Sequence, residues 1–572
     1  MEPPSPAEPA VVTESNLSTD SSPARLPPPG FRRTKLLLSL LVLAALALRL
    51  WGITWSLPNQ ERLFSYHPDE GVNLVKGVLD KDGAPRPHLD LRFYNYGSLY
   101  FYLWQSASSV NRAYGAISLA ATGTPDKPDR ESFASLILVG RLVTAVLGAL
   151  TLIPIFTLGS RLFGRSTGWL GALTYGVIPV AVVHAHFATV DMTATFFVAV
   201  SLALGARLLD NPDWGNIVLA GLACGLAAAA KYNCQLVLFA PMAALVLTGK
   251  TTISMRAAKT AVLLVSAGIG FVASCPGILV NWDGFRHDFL YELHKSGEGM
   301  GLLFTNTGNG WLYHLTSSLR FGLGVPLLLL VLAGVIFAAA RRTKQDWYLF
   351  AFLIPYYFVI GYAQVRFMRY VIPILPALSI MAGRMVAEAW ESRQVLGRAV
   401  ASISAVAFAV SLLLTLSLDR LMASPDSRDA ANAYLDSTAQ QGALVAFARL
   451  PWYDVPPLAP EFTAPSPAMR REAAQKLTRF ICRMPGNNAE LDANVLSAPS
   501  PDFVVVSDIA TEDWDRLKDV RWMEFKRILD SGYTRNDFQK SPSIFGINFG
   551  KPAYVPNDIL YIYPRVTVYT KK

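Results

Sequence analysis

Long apolar segments recur along most of this chain, and each approaches the ~20 residues that an α-helix needs to cross about 30 Å of hydrocarbon. The first reads LLLSLLVLAALAL at residues 36–48 and contains no charged residue. Only 16% of the 572 residues are charged, whereas about a quarter is usual in soluble domains. The sequence therefore predicts an α-helical polytopic membrane protein. Hydropathy indicates about eleven spans, at residues 36–56, 133–157, 168–186, 191–208, 215–230, 233–248, 260–280, 322–340, 347–363, 370–389 and 397–418.

Positive charge sets the predicted orientation. Arg32, Arg33 and Lys35 precede the first apolar segment, and later basic clusters fall in alternate loops. Because such residues stay on the cytoplasmic side, we expect the N-terminus inside, the C-terminus outside, and a multi-pass location in a plasma or inner membrane. The formal charge of +9, from 51 basic and 42 acidic residues, fits contact with membrane lipids, and no nucleic-acid partner is expected.

The chain divides into three predicted parts. Residues 1–34 are rich in Pro, Ser and Ala, which is typical of a disordered cytoplasmic tail. Residues 35–420 form the transmembrane domain, with a large first outer loop at 57–132. Residues 421–572 alternate strand-like runs such as FVVVSD (503–508) with helical stretches. This alternation predicts a soluble extracytoplasmic α/β domain.

The sequence His67-Pro68-Asp69-Glu70 follows the first apolar segment on the predicted outer face. Two adjacent carboxylates just outside a membrane are suited to hold a base for a substrate that arrives from the lipid phase. A solvated turn is the alternative, because His-Pro favours an extended or turn conformation. Asp69 and Glu70 are therefore candidate catalytic residues, and His67 is a candidate positioning residue.

A second polar stretch, His184 to Asp191, lies at a short predicted outer turn. His184 and His186 are two residues apart and would face different directions on a helix, and zinc would need further ligands. No metal site is therefore predicted from these histidines, or from the four scattered cysteines. Asp191 could cap the helix that follows it. His186 and Asp191 are candidate substrate-positioning residues.

Three basic residues are also expected on the outer face, against the positive-inside tendency: Lys231, Arg366 and Arg369. Arginine binds phosphate through paired hydrogen bonds, so a phosphate arriving in the outer leaflet would account for them. Contact of Lys231 with headgroups and pairing of the arginines with outer-loop acids are the alternatives. All three are candidate phosphate-binding residues, and the adjacent Tyr370 is a candidate positioning residue.

Taken together, these motifs resemble the GT-C superfamily of membrane glycosyltransferases, and within it the dolichyl-phosphate-mannose protein mannosyltransferases and bacterial aminoarabinose transferases. The resemblance covers roughly residues 36–420. It rests on Asp69-Glu70, the stretch ending at Asp191, Lys231-Tyr232 and the Arg-Tyr-x-x-Pro-x-x-Pro pattern at 369–376. It implies that a first-loop aspartate is the base and that basic residues bind the phosphate of a polyprenyl-phosphate sugar.

One departure concerns the acceptor. The aminoarabinose transferases carry a lysine within a Lys-Pro-Pro stretch late in the first loop, whereas the comparable region here reads FYNYGS at residues 93–98. The absence of that lysine argues against lipid A as acceptor. Tyr94 of this stretch is expected to help position the substrate.

The expected activity is transfer of a sugar from a polyprenyl-phosphate donor to a hydroxyl of a protein, lipid or glycan on the extracytoplasmic face. Asp69 would be the base, and Glu70 would orient either Asp69 or the acceptor. Displacement from one side predicts inversion at the anomeric carbon. No cofactor is required, although a divalent cation is compatible with the carboxylates. A polytopic transporter or flippase is the alternative, but its functional charges should lie on both faces of the membrane. A whole-oligosaccharide transferase is a third option, since enzymes of that class carry a tryptophan-aspartate motif, but a charged helix surface is the simpler account of Trp514-Asp515 within TEDWDRLKDV.

Overall fold

The computed structural model describes residues 29–80, 89–114, 130–392, 394–486, 491–552 and 554–572. The chain is mostly helical, with a β-sheet near its C-terminus. Residues 42–572 form one compact unit by their internal contacts. The predicted cytoplasmic tail lies outside the described residues as far as residue 28, and the domain boundary at residue 420 stays a prediction.

Apolar helices make up most of the chain as far as residue 422. The helices of nine or more residues in this part are Pro29–Leu50, Leu99–Tyr114, Arg130–Leu150, Leu152–Phe163, Arg165–Gly176, Asp191–Gly205, Trp214–Ala230, Phe239–Leu247, Ile253–Ser274, Trp282–Glu298, Val325–Arg341, Lys344–Tyr362, Leu375–Glu391 and Val395–Met422. Several of the junctions between them are turns of 3-10 helix.

Among the described residues, five helical segments are long and apolar enough to cross a membrane, or six if one bent pair counts as a single span. A polytopic membrane protein is therefore supported, but the predicted count of eleven spans is not confirmed. The five are Phe133–Phe163, Asp191–Leu209, Ile253–Ser274, Met368–Glu391 and Val395–Thr438.

The bent pair occupies the predicted span at 168–186. Helices Arg165–Gly176 and Pro179–His186 meet at an angle of 64°. The break lies immediately before Pro179, where Ile178 is extended with ψ of 119°, because the residue before a proline is disfavoured in the α conformation. The second half ends in a 3-10 turn, His184–His186, close to the start of the next helix at Asp191.

A five-stranded sheet forms the centre of the C-terminal region, as the alternating pattern predicted. Strands β1 (Ala443–Phe447), β2 (Phe480–Arg483) and β3 (Phe503–Ser507) run parallel, whereas β7 (Val566–Lys571) is antiparallel to both β3 and β4 (Tyr533–Phe538). The strand order is β2-β1-β3-β7-β4. Strands β5 (Ser543–Ile544) and β6 (Ile547–Asn548) form a separate hairpin.

Each face of this sheet has its own apolar cluster, because side chains alternate along a strand. Val445 and Val505 point to a cluster with helix Ser427–Thr438, whereas Val504 points to a cluster that contains Trp514. Trp514 is therefore a core residue, only 2% exposed. That burial gives a structural reason for the tryptophan of the Trp-Asp pair.

The predicted first outer loop packs against the C-terminal region through polar contacts. Arg62 and the Tyr66 hydroxyl both bind the Asp429 carboxylate, at 2.5 and 2.6 Å. The guanidinium of Arg428 lies 3.7 Å from the centre of the Tyr66 ring. The indole Nε1 of Trp55 donates to Asp426 at 3.2 Å. The loop and the sheet domain are therefore joined side chain to side chain next to the His67–Glu70 segment.

Candidate active site

Asp69 is presented by a short helix, Pro68–Asn73, whose start the local sequence explains. His67 is extended and its Nδ1 accepts the Asp69 N–H at 3.3 Å, while Pro68 occupies the first helical position. A proline is favoured there because the missing N–H would have had no partner in the helix. The Asp69 side chain is 28% exposed, so it is accessible from outside the protein. The predicted solvated turn is instead a capped helix start.

Glu70, next to Asp69, is in the opposite environment. It forms an ion pair with Arg141, both side chains 0% exposed, through two hydrogen bonds of 2.8 and 2.7 Å. The Ser65 hydroxyl and the Ala188 N–H also donate to the Glu70 carboxylate. Burial by itself raises the pKa of Glu70, but the Arg141 guanidinium outweighs it and holds that pKa below its usual value.

Because both Glu70 oxygens are bound inside the protein, Glu70 has no oxygen to offer a substrate. This geometry corrects its assignment to the catalytic pair: Glu70 instead fixes the start of the helix that carries Asp69. Arg141 was not identified from the sequence, where it is one arginine in the long apolar helix Arg130–Leu150. A charged residue deep in such a helix was the available signal.

Arg369 joins Asp69 to the C-terminal domain. Its Nη2 lies 3.0 Å from Asp69 Oδ2, and its Nη1 lies 3.3 Å from Oδ1 of Asp558. The Arg369 N–H donates to Asp558 Oδ2 at 2.7 Å. The alternative that the outer arginines pair with outer-loop acids is thus observed for Arg369. Asp558 was missed, since nothing local in the sequence links it to residues 189 positions away.

Another buried ion pair, between Lys231 and Asp191, lies near Arg369. Lys231 Nζ is 2.7 Å from Asp191 Oδ1, and it lies 4.8 Å from the centre of the Tyr370 ring. Lys231 directly follows helix Trp214–Ala230, and Asp191 is the first residue of its own helix. The Asp191 side chain does not cap that helix, because the N-cap position is Val190. Lys231 is only 8% exposed, which leaves little of it for lipid headgroups.

The two histidines of the 184–186 turn face different directions, as their spacing predicted. His186 bonds the carbonyls of Val182 and Trp51, at 2.9 and 3.1 Å, away from Asp69. His184 instead has Asp191 and Arg369 as charged neighbours. The positioning role assigned to His186 therefore fits His184 better, and His186 serves to tie helix segments together.

Two aromatic contacts connect His184 with His67. The Phe187 ring lies 4.3 Å from the His67 ring and 5.5 Å from the His184 ring. Within the described part of the chain, His67 Nε2 and both ring nitrogens of His184 are buried without a hydrogen-bond partner. Burial lowers the pKa of His67 to about 4, so this ring is neutral at physiological pH.

Tyr94 and Arg366 are not brought to Asp69. The Tyr94 hydroxyl donates to Asp90 at 2.7 Å, and its N–H donates to Asp288. Arg366 donates to the Gly308 carbonyl at 2.7 Å and to the Thr307 hydroxyl, and so holds the predicted second outer loop, residues 281–320. The predicted assignment of Tyr94 and Arg366 to this site is therefore corrected.

Tyr96, two residues beyond Tyr94, is the tyrosine of this stretch that lies near the ion pairs. Its electrostatic neighbours are Asp69, Arg369 and Tyr370. No regular helix or strand is formed by residues 93–98, so no helical or strand periodicity in the sequence could show which of the two tyrosines faces the ion pairs. The carbonyls of both accept the Tyr232 hydroxyl, at 2.8 and 2.9 Å.

The site therefore consists of three adjacent ion pairs around two cations, and Asp69 is its accessible carboxylate. Asp69, Asp191 and Asp558 face the cations Arg369 and Lys231. Burial raises the pKa of Asp558 to about 6, although Arg369 acts in the opposite direction. Within the described ranges, no cluster of three or more His, Cys, Asp or Glu residues could hold a metal ion.

Residues 133–274 match the family model of the dolichyl-phosphate-mannose-protein mannosyltransferases. The matched segment contains Arg141, Asp191 and Lys231. The predicted resemblance to the dolichyl-phosphate-mannose protein mannosyltransferases is thereby confirmed over residues 133–274. A search of curated proteins finds no significant match.

Several solved structures are similar to the chain at low sequence identity. The apo oligosaccharyltransferase of Archaeoglobus fulgidus is 13% identical with a TM-score of 0.49, over 91% of this chain and 75% of that one. ArnT from Cupriavidus metallidurans bound to undecaprenyl phosphate is 13% identical with a TM-score of 0.45, over 94% and 98%. The S. cerevisiae Pmt1-Pmt2 complex bound to the sugar donor is 16% identical with a TM-score of 0.32, over 44% and 34%.

Proposed function

We propose that the chain is a glycosyltransferase that moves a sugar from a polyprenyl-phosphate donor to an acceptor hydroxyl at the Asp69–Arg369 site. One observation carries the proposal: an accessible carboxylate lies 3.0 Å from an arginine that is otherwise buried, beside a second buried cation. Transfer from a phosphate-linked sugar needs these two kinds of group, a base for the acceptor and positive charge for the leaving phosphate. The match of residues 133–274 to the mannosyltransferase family supports the same chemistry.

In the proposed reaction the acceptor oxygen attacks the anomeric carbon as the bond from that carbon to the phosphate oxygen breaks. The acceptor proton passes to Asp69, and the bond electrons stay with the polyprenyl phosphate. Arg369 and Lys231 would stabilise the charge that develops on that phosphate, in a setting where water is largely excluded. Attack from the side opposite the phosphate predicts inversion at the anomeric carbon.

We place Asp191, His184, Tyr96 and Tyr370 around the sugar as positioning groups. His67 would act indirectly, through Asp69, because its Nδ1 accepts the Asp69 N–H. The acceptor is a hydroxyl of a protein, lipid or glycan. A divalent cation is not needed in this scheme, and a test with and without chelator would reveal one.

We also propose that the site and the C-terminal domain are extracytoplasmic. Helix Asp191–Leu209 rises about 28 Å from the site, and basic residues gather beyond its other end. There Arg161 pairs with Asp210 at 3.1 Å, and Lys250 donates to the Asp210 carbonyl at 2.6 Å. Because basic residues stay in the cytoplasm, the Asp69 end is assigned to the outside.

The test uses purified protein in nanodiscs and a panel of radiolabelled polyprenyl-phosphate monosaccharides, with sugar release as the readout. Asp69→Asn should lower turnover by at least about 100-fold, the usual contribution of a general base. Asp90→Asn is the matched control, since Asp90 is another first-loop aspartate whose side chain is 22% exposed but is bonded to Tyr94. Its turnover should stay near that of the wild type.

Normal release by Asp69→Asn would contradict the assignment of the base. Absence of release by the wild type with every donor, together with substrate flux in liposomes, would contradict the transferase and favour a transporter.

A further inference from the structure

Asp558 is the C-terminal domain's direct contribution to the ion pairs at the site. It lies in the short helix Asn557–Leu560 and is 1% exposed. Its two oxygens bind two different parts of one residue: Oδ2 accepts the Arg369 N–H at 2.7 Å, and Oδ1 accepts the guanidinium Nη1 at 3.3 Å. The carboxylate therefore restrains both the backbone and the side chain of Arg369.

This contact supplies a hydrogen-bond acceptor at the start of a helix in the predicted transmembrane domain. Arg369 is the second residue of the 3-10 helix Met368–Ile374, and the first N–H groups of a helix have no partner within it. The N-cap residue of that helix, Phe367, supplies no acceptor for these N–H groups, because its side chain makes no capping hydrogen bond. Asp558 thus satisfies an N–H that the local sequence leaves without a partner.

The segment that carries Asp558 is anchored at both ends. We call residues 554–561 the strap. At its start, the Tyr554 hydroxyl lies 2.7 Å from the Tyr313 hydroxyl of the second outer loop. At its end, the Tyr561 carbonyl accepts Nη2 of the buried Arg428 at 2.7 Å, and the Tyr561 ring lies 5.2 Å from the His67 ring. An anchored strap can hold Asp558 at a constant place.

We propose that Asp558 is a positioning residue of the transfer site, which orients the Arg369 guanidinium for the donor phosphate. This inference rests on the proposed function. It assigns the strap a role in positioning a site residue, although the family match ends at residue 274. Without the Asp558 carboxylate, Arg369 keeps its charge and its contact with Asp69 but loses the restraint on Nη1.

Protonation of Asp558 gives a second way to remove that restraint. Burial raises the pKa of Asp558 to about 6, so mild acid should release Nη1 as an asparagine would. Tyrosine side chains stay neutral in this range, and so does His67, whose pKa burial lowers to about 4. The charged or titratable groups that face Asp558 are Arg369, Asp69, Asp191, Tyr561, Tyr370 and Tyr313.

The experiment measures the donor KM and kcat of the full chain in nanodiscs for Asp558→Asn, between about pH 7.5 and pH 5. At pH 7.5 the donor KM should rise about tenfold, as expected for one lost charge-assisted hydrogen bond. The wild-type KM should rise towards the same value as the pH falls through about 6, and the KM of Asp558→Asn should stay constant. The donor is a phosphodiester, so its own charge does not change in this window.

Asp508→Asn is the matched control. Asp508 is also buried in the C-terminal domain and also binds one backbone N–H, that of Arg565 at 3.0 Å, and one cation, Lys551. It does not contact Arg369, so its donor KM and pH dependence should match the wild type.

The outcomes separate the two proposals. A wild type that turns over donor, with an unchanged KM in Asp558→Asn, overturns the positioning role and leaves the transferase standing. If Asp558→Asn does not fold, a wild-type donor KM that is constant from pH 7.5 to pH 5 also overturns the positioning role and leaves the transferase standing. If the wild type turns over no donor, both the transferase and the role of Asp558 are refuted.

Discussion

The ion pair between Glu70 and Arg141 makes a quantitative prediction about stability. Both side chains are 0% exposed and are joined by hydrogen bonds of 2.8 and 2.7 Å. Glu70→Gln keeps the volume but leaves the Arg141 charge buried without its counterion. Removing one partner of a buried ion pair costs about 3–5 kcal/mol, so we expect a loss of that size in the free energy of unfolding.

A second substitution, Arg141→Met, separates the effect of the unpaired Arg141 charge on stability from the effect of the other lost contacts. Arg141 also donates to the carbonyls of Ile53 and Trp55, at 2.7 and 2.6 Å, so Arg141→Met leaves these two acceptors without a donor. Because the double variant Glu70→Gln/Arg141→Met contains no unpaired buried charge, its loss should fall short of the sum of the single losses by about 2–3 kcal/mol.

The assay is unfolding of the purified variants by SDS titration from a mild detergent, followed by tryptophan fluorescence. Asp210→Asn is the control, because Asp210 also pairs with an arginine, Arg161, at 3.1 Å, but the two side chains are 58% and 38% exposed. Exposed pairs contribute about 0–1 kcal/mol, so this variant should unfold almost as the wild type does. A Glu70→Gln protein as stable as the wild type but inactive would refute the structural role and return Glu70 to the catalytic residues.

Two further predictions concern the surroundings of Asp69. Burial lowers the pKa of His67 to about 4 in the folded protein, against about 6.5 when unfolded, so its contribution to stability is complete above pH 6.5 and is lost as the pH falls towards 4. We expect the wild type to lose about 2–3 kcal/mol of unfolding free energy more than His67→Asn between pH 7 and pH 4.5, and equal losses would contradict a buried neutral ring. For Gly97→Ala, a Cβ would lie 1.9 Å from the Ala229 carbonyl oxygen, which should cost at least about 2 kcal/mol and displace the neighbouring Lys231. Gly268→Ala, whose Cβ meets no atom within 4 Å and which places the better helix former inside a helix, should lose no stability in the same titration, and an equal loss in both would contradict the packing argument.

Much of the architecture could be predicted from local patterns. The apolar segments predicted a membrane protein, and the runs ALVAFA, FVVVSD and VTVY became strands β1, β3 and β7. These properties depend on the composition and periodicity of short stretches, which a sequence displays directly. The number of spans was less predictable, because predicted spans such as those at Trp214–Ala230 and Val325–Arg341 are apolar helices of only 17 residues. In addition, the break before Pro179 divides one apolar segment into two helices at 64°.

The candidate site was predicted as a set of residue types, but its partners came from long-range packing. The sequence marked Asp69, Lys231 and Arg369, and it indicated that His184 and His186 point apart. It could not show that Glu70 is buried while Asp69 is accessible, because the difference depends on Arg141 in another helix.

The sequence by itself determined the class of the protein, the positions of its main apolar and strand-forming segments and the chemical types of its polar residues. The tertiary structure alone decided which of those residues meet. Asp69, Arg369 and Asp558 are far apart along the chain, with 189 positions between the last two, yet they form one chain of ion pairs at 3.0 and 3.3 Å. The physical reason is that hydropathy and backbone preference act over a few neighbouring residues, whereas the pairing of buried charges depends on how distant segments pack.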